Sequence, residues 1–313
     1  MAELTLVEAV NDALHVELER DADVLVMGED VGRAGGVFRA TAGLLDRFGA
    51  NRCVDTPLAE AGILGTAVGL CMAGWRPVCE MQYDAFSYPC LDQLITHVGR
   101  YHWRTGGKMQ FPITIRMPYG GGVRAPELHD DSPETYYVHT PGIKVAIPST
   151  PADAKGLLAA AIRDPDPVVI FEPKLVYRTA RGEVPAGEHV VPLGVARIAR
   201  EGSDVTLIAY GAMVGVCERA ADELADGDHR TVRDQRHVAA CACDPRLPER
   251  HEVVALRHLA ARRAVDELRL EDHDRIGVPN RRRQQALRIG RRRRDRHLDP
   301  GRVDVVGLRR VLV

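Results

Sequence analysis

The chain has 313 residues, 45% of them hydrophobic and 27% charged, with a formal net charge of −2. That length suits two ordinary cores, and the near-neutral total singles out no polyanionic partner. No run reaches the roughly 18 apolar residues of a membrane span, and Met1-Ala2-Glu3-Leu4-Thr5 lacks the basic region and apolar core of a secretory signal, so a soluble cytoplasmic protein is expected.

The balance conceals a split. Residues 1–226 carry 20 Lys+Arg against 31 Asp+Glu, net −11, whereas residues 227–313 carry 22 Arg against 13 acids, net +9. Cysteines stand at 53, 71, 79, 90, 217, 241 and 243. Their odd number, and the apolar neighbours of Cys71 and Cys79, argue for reduced thiols. Cys241-Ala-Cys243 has the look of a metal half-site, but no second pair accompanies it.

Thr5-Leu-Val-Glu8 reads as a capping box, after which Leu6, Val7, Val10, Leu14 and Leu18 recur at helical spacing. Strand-like apolar runs follow at 23–28, 52–55, 77–82, 112–117, 144–147 and 168–171, with helical patterns at 58–73, 85–101 and 151–162. Continuously apolar strands alternating with helices predict an α/β fold, a parallel sheet flanked by helices on both faces. From Pro173 to Arg200 Pro and Gly break the rhythm, which predicts a connector with room for a hairpin. A second α/β unit starts at Asp204-Val-Thr-Leu-Ile-Ala-Tyr210, with a helix through Leu224. The expected organisation is a first domain over 1–190, the start of a second over 191–226, and an anomalous Arg-rich tail over 227–313. That tail has no Phe, Tyr or Trp, too little bulk for a core. Residues 255–270 could form a helix in it and 303–306 a strand. Its Arg/Ala/Val/Asp bias also resembles a GC-rich coding region read out of frame.

In such a sheet, ligands bind beyond the carboxyl ends of the strands. Three segments arrive there: Asp55-Thr-Pro-Leu-Ala-Glu60-Ala-Gly62, Glu80-Met-Gln-Tyr-Asp-Ala-Phe86, and Pro118-Tyr-Gly-Gly-Gly122 running on to Glu127-Leu-His129. Glu60 heads an otherwise apolar helix. It is either a first-turn acid complementing the helix dipole or a carboxyl in apolar surroundings, ready to share a proton with a heterocycle nitrogen. Gly62, Gly65 and Gly69 share a face of that helix and would admit a close neighbour. Phe86 taken alone is core, and His129 taken alone is a surface histidine of a Gly-rich loop.

Residues 1–226 resemble the beta subunit of the decarboxylating component of 2-oxo acid dehydrogenases, relatives of transketolase. The strings that carry the likeness are Gly28-Glu-Asp-Val-Gly32, Asp55-Thr-Pro-Leu-Ala-Glu60, Met72-Ala-Gly-Trp-Arg-Pro-Val-Cys-Glu-Met-Gln82, Thr140-Pro-Gly-Ile-Lys-Val-Ala-Ile-Pro148 and Asp153-Ala-Lys-Gly-Leu-Leu158. The resemblance implies a transketolase-like, pyrimidine-binding α/β domain with an incomplete second α/β domain, and thiamine diphosphate as cofactor. Glu60 would hydrogen-bond the aminopyrimidine, favouring the imino tautomer that removes the thiazolium proton. Phe86 would stack on that ring, Leu58 and Gln82 would line its pocket, and His129 would steer proton transfers at the reacting centre. Ile113 and the loop through Ala161, Ile162, Asp164 and Asp166 resemble a potassium site built from backbone carbonyls.

The family's Mg²⁺ and diphosphate motif, Gly-Asp-Gly followed by Asn, does not occur; Asp226-Gly-Asp228 is a different string. The resemblance therefore implies an alpha-type partner in an α2β2 heterotetramer, with a lipoylated acyltransferase as acceptor. Ile170-Phe-Glu-Pro-Lys-Leu-Val-Tyr-Arg178 with Glu183-Val-Pro185 looks more like branched-chain 2-oxo acid enzymes than pyruvate ones. Two other readings stand beside this one. One is a degenerate, inactive subunit; the other is a nucleic-acid binder using Arg281–283 and Arg291–294, which the tail's 13 acids and lack of aromatics disfavour.

Overall fold

In the chain's computed structural model the described residues are 1–125, 127–201, 206–226 and 238–240. The arginine clusters, the Cys241/Cys243 pair and the elements expected over 255–270 and 303–306 lie outside them, as does nearly all the stretch read as out of frame.

β1 (Ala2–Thr5) leads into α1 (Leu6–Arg20), and the capping box forms as expected: Glu8 N donates to Thr5 Oγ1 at 3.3 Å and Thr5 N to Glu8 Oε2 at 2.7 Å. There follow β2 (Val24–Gly28), α2 (Leu44–Phe48), β3 (Cys53–Asp55), α3 (Glu60–Met72) and β4 (Arg76–Glu80). The continuous helix expected over 85–101 is broken. A 3₁₀ turn (Ala85–Cys90), one α turn α4 (Leu91–Gln93) and a π stretch (Leu94–Val98) precede α5 (Tyr101–Arg104). Pro89 supplies no N–H and disfavours the helical conformation in the residue before it, so a regular ladder cannot run through it.

β5 (Thr114–Tyr119), α6 (Glu134–Val138), β6 (Lys144–Ala146), α7 (Pro151–Arg163) and β7 (Val168–Pro173) complete the main layer. Its six strands run parallel in the order β3-β2-β4-β5-β7-β6. Period-two alternation divides each strand between two cores. Val24, Val26, Val168 and Ile170 face α1 and α7, while Leu25, Met27, Val169 and Phe171 face α3 and the broken helical run.

The connector holds no hairpin. β8 (Arg181–Val184) pairs antiparallel with β1, far away in sequence, and β9 (Arg197–Arg200) belongs to a second sheet. There β10 (Leu207–Ala209) precedes α8 (Met213–Asp226), and β11 (Val238–Ala240) lies between β10 and β9. β11 is a strand in a stretch where the sequence pattern offered none. Its three apolar residues follow a run of charged and polar ones and are too short to show a period. Tyr210 hydrogen-bonds the buried Glu134 of α6, joining the start of this second layer to the first.

Candidate active site

Because the six strands are parallel, the loops after β2, β3, β4, β5 and β7 gather at one edge of the sheet. The glycine-bearing string after β2 is locked to the end of β3: the Asp55 carboxylate accepts from Gly32 N at 2.5 Å and from Arg33 N at 3.1 Å. A Cβ on Gly32 would stand 2.7 Å from Asp55 Oδ2, so only glycine permits that approach. Asp30, in a left-handed conformation at φ 60°, accepts from Gln82 Nε2 at 3.3 Å, tying the loop after β2 to the loop after β4.

Glu60 occupies the first turn of α3, half-buried, and among the described residues its carboxylate has no hydrogen-bond or ion-pair partner. Its charge reaches two neighbouring segments. Burial, then Asp30 and Glu60, push the Glu29 carboxyl up. Burial, then Glu60, push the Cys90 thiol up to about 12. Cys90 closes the 3₁₀ turn that carries Phe86, so Glu60 lies within electrostatic reach of both that turn and the loop after β2. Leu58, two residues before Glu60, is 69% exposed. Among the described residues Gly62, Gly65 and Gly69 have no backbone from outside α3 close by, and that face of the helix is largely open.

Phe86 and His129 do meet. Their rings lie 4.9 Å apart edge to face, and Tyr83 closes the group at 4.3 Å from His129 and 5.4 Å from Phe86. Phe38 extends the cluster to Tyr83 at 5.7 Å and to Tyr177 at 5.3 Å. His129 Nδ1 lies 2.6 Å from Glu127 O. A carbonyl only accepts, so Nδ1 carries the proton and Nε2 keeps its lone pair in the neutral ring.

Beneath this edge lie buried charges that the sequence reading did not single out. Arg116 donates Nε and Nη2 to the two carboxylate oxygens of Glu172 at 2.7 Å each, and Nη1 to Glu80. The Tyr177 hydroxyl donates to Glu172 Oε2 at 2.5 Å. Glu80 and Arg116 are register partners on β4 and β5, and alternation puts all three charges on the α1/α7 side. A charge inside an otherwise apolar strand, as in Thr114-Ile-Arg-Met, was the available signal. Asp84 and Lys174 form a second buried pair, at 3.5 Å.

Four of the five carbonyls expected to hold potassium accept from protein donors. Ile162 O takes Arg76 Nε at 3.0 Å and Nη2 at 2.7 Å, Asp164 O takes Arg76 Nη2 at 3.2 Å, Ala161 O takes Asp164 N at 3.3 Å, and Ile113 O takes Val168 N at 3.0 Å. Lys144 Nζ reaches Asp164 Oδ1 at 2.8 Å and Asp166 Oδ2 at 3.2 Å. A potassium ion there would have to share Ile162 and Asp164 with a guanidinium. Among the described residues no group of three or more His, Cys, Asp or Glu side chains could hold a metal, and no helix is long and apolar enough to cross a membrane.

Comparison with known proteins places this architecture. The family model of the transketolase pyrimidine-binding domain matches residues 2–179, and that of the transketolase C-terminal domain matches residues 194–242. A solved split-gene transketolase, described as an inactive beta4 tetramer, superposes with a TM-score of 0.60 at 21% identity, over 76% of this chain and 71% of that one. The fold is therefore that of a transketolase-like enzyme. The pyruvate dehydrogenase E1 component subunit beta of Bacillus subtilis (strain 168) is 52% identical over 245 residues, 78% of this chain and 75% of that protein. Its counterpart in Staphylococcus aureus (strain N315) is 50% identical over 76% of this chain and 74% of its own length. The chain belongs to the transketolase-like family of 2-oxo acid dehydrogenase E1 beta subunits, components of a thiamine-diphosphate-dependent enzyme.

Proposed function

We propose that this chain supplies the pyrimidine side of the thiamine diphosphate site in an α2β2 pyruvate dehydrogenase component, decarboxylating pyruvate and passing the acyl group to a lipoylated acyltransferase. The observation that carries this is the half-buried Glu60 carboxylate, without a hydrogen-bond or ion-pair partner among the described residues, beside the turn that bears Phe86. When bound, thiamine diphosphate supplies the carbon nucleophile and the electron sink for loss of CO₂. Glu60 holds a proton at the pyrimidine nitrogen, and the half-buried Phe86 offers a ring surface to stack on it. Leu58 and Gln82 line the same pocket. His129 has an Nε2 lone pair free to take and return a proton at the reacting centre.

Mg²⁺ and the diphosphate are assigned to an alpha-type subunit, since the chain has no Gly-Asp-Gly string. The open face of α3 and the exposed Leu58 suit a site completed by another chain. The two-electron oxidation of the substrate carbon is balanced by reduction of the lipoyl disulfide.

Pyruvate is favoured because the relatives at 50–52% identity are named for it. Much of the string that looked branched-chain lies in the framework: Ile170, Phe171 and Glu172 are buried in β7, Tyr177 joins the Arg116 network, and Glu183 pairs with β1. Residues so placed report on packing rather than on the substrate side chain.

The deciding assay co-expresses the chain with an alpha-type subunit and compares pyruvate with 3-methyl-2-oxobutanoate, with and without Glu60→Ala. Turnover of pyruvate that disappears in the variant supports the proposal. Preference for the branched acid reverses the substrate assignment, and no complex with any alpha chain points to a degenerate subunit.

A further inference from the structure

We infer that Lys174 and Asp84 are positioning residues that set where His129 stands, a role that rests on the reading of His129 given above. Lys174 lies in the 3₁₀ turn Lys174–Val176 that follows β7, and its side chain is 1% exposed. Its ammonium makes three engagements. It donates to the backbone carbonyl of His129 at 2.5 Å, pairs with Asp84 Oδ1 at 3.5 Å, and sits 5.2 Å from the centre of the Tyr83 ring, the ring against which His129 packs.

Asp84 is fully buried and splits its oxygens: Oδ1 faces Lys174, and Oδ2 accepts from Gly120 N at 3.2 Å. Gly120 opens the loop that leads to His129, and its N–H also reaches Asp131 O at 2.8 Å. The pair therefore grips this loop twice, at its start through Asp84 and at His129 itself through Lys174. In doing so it links the carboxyl ends of β4, β5 and β7.

The loop needs such anchors. Arg124 and Leu128 both adopt left-handed backbone, at φ 57° and 60°, and Leu128 immediately precedes His129. A branched residue in that region is costly and persists only where its surroundings over-determine it. As a stabiliser the ion pair is poor. Burial pushes the Asp84 carboxyl up and the Lys174 ammonium down, each opposed by the other's charge. Two apolar or neutral side chains would serve packing as well or better. What they would lack is the donor to His129 O.

The test uses the full chain, alone and assembled with an alpha-type subunit, in Lys174→Met, Lys174→Arg and the double variant Lys174→Met/Asp84→Asn. The double variant leaves no unpaired buried charge and keeps the experiment interpretable if Lys174→Met does not fold. We expect it to fold and assemble while kcat falls on the order of 100-fold with little change in KM, as for a misplaced catalytic group. Lys174→Arg, which keeps a cationic donor, recovers part of the loss.

Ring ¹⁵N spectra of histidine-labelled chain, with His129 assigned by its absence in His129→Gln, give a readout independent of turnover. The Nδ1–H form is expected in the unsubstituted chain and a mixture of tautomers in the double variant. Unchanged kcat together with an unchanged His129 spectrum in the double variant would overturn the inference. Should His129→Gln itself keep full activity, the catalytic reading of His129 falls. The ring spectrum alone then decides whether Lys174 and Asp84 position it.

Discussion

Arg116 and Glu172 meet fork to fork, with Nε and Nη2 each 2.7 Å from one carboxylate oxygen and both side chains at 0% exposure. The same guanidinium also serves Glu80, so one cation holds two buried carboxylates across three strands. Arg116→Met should lower stability by ~3–5 kcal/mol, because it strands charges that cannot reach water. Arg116→Lys should also be costly, since an ammonium cannot reproduce the planar fork. Urea denaturation measures both. A loss no larger than that of a surface pair, ~1 kcal/mol or less, would show the network to be solvated in solution.

Glu60 should behave in the opposite way. With no hydrogen-bond or ion-pair partner among the described residues, it contributes to folding chiefly through the helix dipole, about 0.3–1 kcal/mol. Glu60→Ala should therefore leave the melting temperature nearly unchanged and still lower turnover by at least ~10²-fold, the usual worth of a positioned acid or base. Parallel loss of stability and activity in this variant would make Glu60 a structural residue.

Legibility in the sequence followed the range of the forces involved. The parallel strands and α1, α3 and α7 were readable because apolar periodicity and caps are local signals. β1 and β8 were not: Ala2–Thr5 and Arg181–Val184 are mixed four-residue strands whose only reason to be extended is each other, across the length of the domain. The Arg116–Glu172 pair spans 56 residues of sequence and was missed for the same reason. Glu60, Phe86 and His129 each had a bland local explanation and became site candidates through resemblance. What composition could not supply is the Tyr83 ring that joins Phe86 to His129, or the lysine beneath them.

The buried thiols make a chemical test of the two-core packing. Cys53, Cys71, Cys79 and Cys90 are all buried and free, and burial pushes their thiols up: Cys71 to about 11, Cys53 and Cys90 to about 12, and Cys79 further. The thiolate is the reactive form, so at pH 8 these four should resist alkylation in the folded chain and react fully in urea. Peptide mapping after iodoacetamide treatment distinguishes them from the half-buried Cys217. Rapid native labelling of Cys79 or Cys90 would contradict the packing around α3.

Asp166 gives the chain an acid-sensitive contact near the α7–β7 turn. Burial alone would raise its carboxyl, but hydrogen bonds from His102 at 2.6 Å and from Lys144 outweigh that and hold it below the ordinary carboxylate value. The folded state then binds fewer protons than the unfolded one between the two values. The contribution to stability is complete above the unfolded carboxylate pKa of about 4 and is lost as pH falls through the lower, folded one. Lys144 is held above its ordinary value: burial opposes this, and the bonds to Asp164 and Asp166 outweigh it. Its own share is therefore lost only at strongly alkaline pH. Both groups are about one-third exposed, so the pair should be worth no more than about 1 kcal/mol. Asp166→Asn should lower the urea midpoint slightly at pH 6, and the gap to the unsubstituted chain should close as the pH is taken below 4. A gap of constant size down to the acid transition would mean that the contact is held by geometry rather than by charge.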